Sequence, residues 1–167
     1  HKINEALSLI KKLIEKEPSN PYFYELEGQI LYETGNLEKS LLSYEKAEKL
    51  LPSSSLISLE LAVILNSISS SSKISPDQKA NYLNKSLNLL KKLLVKEPDH
   101  SFAYRQLAIS YGKLGKLGMS YLSLAEESLI KNNKKDAKKF AKIASTHNDL
   151  DKASKARVKN IDAELSE

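Results

Sequence analysis

The sequence predicts an all-α protein, a right-handed α-solenoid of about nine helices built from helical hairpins that repeat along the chain. The 167 residues include only 5 Gly and 5 Pro, which favours long regular elements over many short strands. The first residues, HKINEALSLIKKL, have the pattern of an amphipathic helix. Three prolines, Pro18, Pro52 and Pro98, each follow an apolar helical run.

The spacing of these prolines indicates a repeat. Pro18 and Pro52 are 34 residues apart, and Pro98 follows 46 residues later, so the second interval holds 12 extra residues. We expect the serine-rich stretch from Ser67 to Ser75 to accommodate this excess. Ser75 is expected to cap the next helix, with Pro76 as its first residue.

Small residues and glycines fall in the same frame. Gly35 and Gly115 are placed to end helices in the left-handed conformation. Ten positions after each proline, where the two helices of one hairpin should cross closely, stand the small residues Gly28, Ala62 and Ala108. Twelve positions before each proline, where one hairpin should meet the next, stand Ala6, Ser40 and Ser86. This pattern resembles the tetratricopeptide repeat (TPR), whose period is 34 residues. The alternative, a plain helical bundle, gives no reason for one frame to recur three times.

The resemblance implies a single TPR domain over residues 1–167, stabilised by stacking of neighbouring hairpins. Residues 2–16 correspond to a second helix without its first, so we expect the natural protein to extend further at the N-terminus. The expected parts are a partial repeat (1–18), a repeat (19–52), a repeat with the insertion (53–98), a repeat (99–131), an overlapping degenerate repeat (118–149) and a capping helix (150–167).

No pattern of catalytic residues is present. The chain has no Cys, no HExxH zinc motif and no GxSxG nucleophile motif, and its 3 histidines are scattered. We therefore expect this chain to be non-enzymatic and to hold neither a metal nor another cofactor. His100 is expected to cap the helix that follows it. The glutamate pairs Glu45/Glu48 and Glu126/Glu127 are interpreted as ordinary solvated helix charges.

The net charge of +5 is unevenly distributed. Residues 1–60 contain seven Lys and ten Glu, whereas residues 131–160 contain nine Lys and one Arg against three Asp. The basic end could attract phosphate or an acidic partner, but a solvated helix face is the simpler interpretation. Nucleic-acid binding is a further hypothesis, which we do not favour because only Phe140 lies among the lysines to stack on bases. No apolar run has the roughly 18–20 residues of a transmembrane segment.

In the TPR fold the first helices of the hairpins line a concave face that holds peptide ligands. We therefore expect a polypeptide segment or protein as partner, although the same side chains could simply cover this inner surface. Leu56, Glu60 and Asn66 are mapped to the same face. The predicted binding residues are Tyr22, Glu25, Gln29, Tyr32, Leu59, Val63, Phe102, Arg105, Gln106, Ile109 and Lys113.

Two stretches are similar to a more specific family. PYFYELEGQILYETGNLEKSLLSYEKAEKLLP and the region from Pro98 onward resemble the C-terminal TPR region of BepA-like periplasmic zinc metallopeptidases. The features that carry the resemblance are Tyr104–Ala108, Tyr111–Gly112 with Gly115, Leu124–Glu126, and Arg157 with Ile161–Asp162.

This resemblance implies the regulatory and substrate-binding part of a bacterial envelope protease, located in the periplasm. Its zinc would belong to a separate HExxH domain, and its partners would be that domain and outer-membrane proteins during their assembly or quality control. The alternative is a free-standing TPR adaptor or a scaffold for assembly or secretion. The sequence leaves the oligomeric state open.

Overall fold

The structure, a computed structural model, describes residues 2–165, and in this part it contains nine α-helices and no β-strand. The predicted all-α class is confirmed. Residues 1, 166 and 167, at the ends of the predicted partial repeat and capping helix, lie outside the described residues. The helices are α1 (Lys2–Lys16), α2 (Pro21–Glu33), α3 (Leu37–Leu50), α4 (Ser55–Ile68), α5 (Pro76–Lys96), α6 (Ser101–Lys113), α7 (Leu117–Ile130), α8 (Lys134–Ser145) and α9 (Lys152–Glu164).

The chain divides into two compact units, an N-terminal unit (His1–Ile74) and a C-terminal unit (Ser75–Glu167). Within the N-terminal unit α1 packs against α2, α2 against α3, and α3 against α4. Within the C-terminal unit α5 to α9 do the same, and α9 also contacts α7. The grouping into one domain and the repeat boundaries given above stay predictions.

Polar side chains placed just before the helices fix where several of them begin. The side chain of Ser75 accepts a hydrogen bond from the backbone N–H of Gln78, and Pro76 follows as the first helical residue. His100 caps α6 as expected, because its Nδ1 accepts the backbone N–H of Ala103 at 3.3 Å. Asn20, Ser54, Asn133 and Asp151 cap α2, α4, α8 and α9 in the same way.

Three of the described helices end in the same left-handed turn. At the end of α2, Gly35 has φ 79°, its N–H donates to the carbonyl of Tyr32, and the next N–H donates to the carbonyl of Leu31. Gly115 ends α6 with φ 74° and the same pair of bonds, as the sequence predicts. Asn132, with φ 56°, repeats this geometry after α7, where no glycine stands.

The insertion is shared between a loop and two helices. The hairpin of α4 and α5 can be compared with the hairpin of α2 and α3. Helix α4 is one residue longer than α2, the α4–α5 connection is four residues longer than the α2–α3 connection, and α5 is seven residues longer than α3. The stretch Ser67–Ser75, expected to accommodate the excess, therefore takes only part of it. More than half of it lengthens α5, because Ser75 and Pro76 start that helix early.

The N-terminal unit is held together by a close contact between α2 and α3. A Cβ atom built on Gly28 would lie 2.5 Å from Cδ2 of Tyr44, so the absence of a side chain lets the aromatic ring lie directly against α2. Tyr44 is only 3% exposed. Ser40, one turn earlier on α3, donates its hydroxyl to the carbonyl of Gly28 at 2.7 Å. Ser40 thus binds the first helix of its own hairpin, which is not the contact that the repeat frame suggested.

The C-terminal unit has an apolar cluster between α7, α8 and α9 that is built largely from small side chains. Ala125, Ala141 and Ala144 are fully buried, and Val158 and Ile161 of α9 cover them. Elsewhere in this unit, the hydroxyl of Ser120 donates to the carbonyl of Ala108, as that of Ser40 does to Gly28 in the N-terminal unit.

Two glutamates that the sequence analysis placed in solvent are engaged in ion pairs. The side chain of Glu127 is 3% exposed and lies between Arg105, at 2.7 Å, and Lys131, at 2.5 Å. Glu126 accepts two hydrogen bonds from the guanidinium of Arg157, at 2.6 and 2.9 Å. The interpretation of Glu126 and Glu127 as solvated charges is wrong, because both carboxylates form ion pairs. Their cationic partners come from α6, from α9 and from the residue that follows α7.

We expect Gly28→Ala to destabilise the N-terminal unit by about 1–3 kcal/mol, because the new methyl group displaces the buried ring of Tyr44. Urea unfolding followed by circular dichroism measures this change. The matched control is Gly112→Ala, whose methyl group would meet only the Ser120 side chain, with its hydroxyl at 3.4 Å. The control should be neutral or stabilising by up to about 1 kcal/mol through helix propensity. Equal losses in the two variants would contradict the proposed contact.

Asp149, in the connection between α8 and α9, caps the start of α7. Its carboxylate accepts the backbone N–H groups of Gly118, at 2.9 Å, and Met119, at 3.2 Å. Desolvation opposes ionisation of Asp149, but these two hydrogen bonds, together with one from its own backbone N–H and the nearby His147, outweigh it and lower the pKa of the carboxyl below its usual 3.8.

We expect Asp149→Ala to cost about 1 kcal/mol at pH 7, the usual effect of losing a helix cap. Because the folded-state pKa is lowered, this stabilisation is present above pH 3.8 and is lost as the pH falls through the folded-state value. Unfolding of wild type and variant across this range should therefore show the two converging in acid. A stability difference that stays constant down to the lowest pH would contradict the assigned cap.

Candidate functional site

The candidate site is a surface of the N-terminal unit formed by α2 and α4. Residues on one helix that are three or four positions apart share a face. The hydroxyl groups of Tyr32 and Ser67 lie 3.3 Å apart and connect the two helices. We call this surface the α2–α4 face, and it comprises Tyr22, Glu25, Gln29 and Tyr32 on α2 with Leu56, Glu60, Val63 and Ser67 on α4.

Large apolar side chains remain exposed on this face. Tyr22 is 59% exposed, Leu56 is 54% exposed and Tyr32 is 37% exposed. Tyrosine presents a rigid, partly apolar ring with a hydroxyl that can form hydrogen bonds, and such side chains commonly anchor protein interfaces. The face therefore offers anchoring groups for a polypeptide.

The carboxyl group of Glu60 is partly shielded from solvent by the side chains that pack around it. It forms a hydrogen bond with the phenol of Tyr44, the same ring that lies against Gly28. Its Oε2 atom is buried and has no hydrogen-bond partner among the described residues. Desolvation raises the pKa of Glu60, the Tyr44 hydrogen bond opposes this, and the negative charge of Glu25 raises the pKa further. Burial likewise raises the pKa of Glu25.

The two helices that form the face supply no positive charge to balance these groups. The sequences of α2, PYFYELEGQILYE, and α4, SLISLELAVILNSI, contain no Lys, Arg or His. The side chain of Gln29 donates to Glu33 at 3.1 Å, so this amide of the face already has a carboxylate partner of its own. The face is thus acidic as well as partly apolar.

Not every residue of the predicted binding set is accessible. Leu59 and Gln106 are only 8% and 6% exposed, and Asn66, mapped to the same face, is also buried, so these side chains contribute to packing. Val63 on α4 is partly buried.

The predicted residues of the C-terminal unit lie on α6 and are described separately. Phe102 is 46% exposed and Ile109 is partly buried. Arg105 is engaged with the buried Glu127. Burial, and then the nearby Lys79, lower the pKa of Lys113. The binding role of these residues stays a prediction.

Sequence reasoning did not identify the contributions of Tyr44 and Ser67. Tyr44 belongs to the second helix of its hairpin, which the repeat frame assigns to packing. A signal was available, because a glycine at a close helix crossing leaves room for one large ring from the opposite helix. The sequence did not specify which ring would occupy that space.

Among residues 2–165, no three His, Asp or Glu side chains converge in a way that could hold a metal ion. In the same range, no helix is long and apolar enough to cross a membrane.

No protein-family model matches the chain, and no curated protein matches it in sequence. Solved structures do match it. MamA residues 41 to the end, from Desulfovibrio magneticus RS-1, gives a TM-score of 0.69 at 18% identity, covering 98% of this chain and 85% of that one. TTC0263, a thermophilic TPR protein of Thermus thermophilus, gives a TM-score of 0.57 at 16% identity, covering 95% and 90%. The chain has a TPR-type fold. At these identities the likeness concerns the fold alone, and the predicted α-solenoid class is confirmed by it.

We expect Glu60→Gln to raise the melting temperature at pH 7, because the amide keeps the shape of the side chain and removes a desolvated charge. Because the pKa of Glu60 is raised in the folded state, its ionisation lowers the free energy of unfolding at pH values above the folded-state pKa. This loss of stability disappears as the pH falls to 4.5, the usual pKa of a glutamate. Thermal unfolding at pH 7 and pH 4 checks this, and the gain should be absent at pH 4. A lower melting temperature for the variant at pH 7 would contradict the desolvation of Glu60.

Proposed function

We propose that this chain is a protein–protein interaction module that binds a polypeptide segment on the α2–α4 face. The observation that carries the proposal is the combination of exposed Tyr22, Tyr32 and Leu56 with the half-buried carboxyl of Glu60 on one surface. Anchors in pockets, bordered by groups that form hydrogen bonds, are the usual features of a peptide-binding site.

The TPR-type fold supports the proposal in a general way, because helical hairpins present the side chains of their first helices on one side. Both α2 and α4 are first helices in the predicted repeats. Their inward sides are used for packing, as fully buried Ile57, Leu61 and Leu65 of α4 show. Their other side carries the candidate binding groups.

The test is selection of a random twelve-residue peptide library on the purified chain, followed by titration of enriched peptides. Leu56→Ala should weaken binding by about tenfold, because a buried leucine anchor contributes roughly 1.5 kcal/mol or more. Leu42→Ala is the matched control, since Leu42 is 66% exposed on α3 and lies outside the face. Equal binding by both variants, or no enriched peptide at all, would contradict the proposal.

On the sequence resemblance alone, we also propose a setting for this module, as the partner-binding and regulatory part of a BepA-like zinc metallopeptidase of the bacterial periplasm. Glu126 and Arg157, which carry part of that resemblance, form a salt bridge within the C-terminal unit. This contact serves packing in either setting, so a free-standing TPR adaptor is an equal alternative. An HExxH motif encoded upstream of His1 would favour the protease, and its absence from the complete reading frame would favour the adaptor. No residue of this chain is assigned to zinc.

A further inference from the structure

We infer that the α2–α4 face takes a basic polypeptide segment, one whose Lys or Arg side chain enters between Glu25 and Glu60 while apolar neighbours contact the exposed tyrosines and Leu56. This inference rests on the proposed function and specifies the chemistry of the partner.

The first argument is an incomplete set of hydrogen bonds. Glu60 has one buried oxygen, Oε2, without a partner among the described residues, although its carboxyl group also binds Tyr44. Buried polar atoms are nearly always paired, and an exception in a folded protein calls for an explanation. The Glu60 residue as a whole is only partly buried, so a rotation of its side chain that brings Oε2 to the surface would let an N–H group of a bound ligand supply the missing donor.

The second argument is charge. Glu25 lies close enough to Glu60 for its negative charge to oppose ionisation of that carboxyl, and neither α2 nor α4 contains a cation. Residues 1–74 as a whole contain eight Lys and ten Glu. A neutral donor would complete the hydrogen bonds but leave two adjacent negative charges, whereas an ammonium or guanidinium group satisfies both requirements.

The third argument is the surrounding surface. Exposed Tyr22 and Tyr32 stand on the same side of α2 as Glu25. Aromatic faces attract cations and also cover the aliphatic stems of Lys and Arg. A free inorganic cation would make no use of these rings or of Leu56, which is why the surface fits a side chain within a polypeptide.

The contrast with the C-terminal unit shows that this chain does pair its buried carboxylates where packing requires it. Glu127 has Arg105 and Lys131, and Glu126 has a two-bond contact with Arg157. Glu60 is equally tied to the packing of its unit through Tyr44, yet the helices of its face supply no such cation. We take the missing charge to be the partner's.

The experiment uses the full chain and the random twelve-residue library, selected in parallel on wild type and on the double variant Glu25→Gln/Glu60→Gln. Wild type should enrich peptides with Lys or Arg at one fixed position, and the double variant should lose this preference. Glu38→Gln is the matched control, because it removes one carboxylate of the same unit from α3, outside the face, and should leave the preference unchanged.

A titration then tests the contact itself. In the best peptide the basic residue is replaced by norleucine, or by citrulline where it is Arg. The replacement should weaken binding to wild type by at least about tenfold, and should have little effect on binding to Glu60→Gln, as expected for two groups in direct contact. Equal losses on both proteins would overturn the inference.

The remaining outcomes separate this inference from the proposed function. Suppose the enriched peptides show no preference for Lys or Arg, but Leu56→Ala still weakens their binding. This result would overturn the inference of a basic partner and would still support the proposed peptide-binding function. No enriched peptide would overturn both. Another candidate occupant of the face is the basic C-terminal end of a second copy of this chain. Sedimentation of the peptide-free chain tests this, since self-association that Glu60→Gln abolishes would identify a second copy in place of a separate partner.

Discussion

The contact between Gly28 and Tyr44 is the interaction on which the N-terminal unit and its candidate site both depend. Because Gly28 has no Cβ atom, the ring of Tyr44 packs directly against α2, and its phenol forms a hydrogen bond with Glu60 on α4. Burial and the hydrogen bond to Glu60 raise the pKa of Tyr44 above its usual value, so the phenol remains a donor. A packing requirement on one helix thereby fixes the position and the surroundings of a carboxyl group on another.

The repeat frame was strong enough to predict the helices because each of its signals has a local physical cause. A proline, a capping Ser or Asn, and a glycine in the left-handed region act on the backbone within a few residues of themselves, and Ser75, His100, Gly35 and Gly115 all behave as predicted. Asn132 was missed because asparagine only tolerates the conformation that glycine readily adopts. The insertion was located only in part, since a serine-rich stretch predicts a loop but does not show how many of the extra residues lengthen the helix that follows it.

The site was less accessible to sequence reasoning, because its properties depend on contacts between distant residues. Helical spacing places Tyr22, Glu25 and Tyr32 on one face without any tertiary information. It cannot distinguish a glutamate in solvent from one that packing has desolvated. The same limit explains the errors at Glu126 and Glu127, whose partners Arg157 and Arg105 lie 31 and 22 residues away in sequence.

A desolvated carboxyl that lowers the stability of the free protein persists only when something else compensates for it. In a purely structural role, Glu60 would be replaced without loss by glutamine, which keeps the hydrogen bond to Tyr44 and carries no charge. A role in binding reverses this preference, because the charge that is costly in the free chain strengthens the bond to an incoming cation in the same desolvated surroundings. The tyrosines and Leu56 beside it would be shielded from water by the same ligand, so the electrostatic and the apolar features of the α2–α4 face have one common explanation.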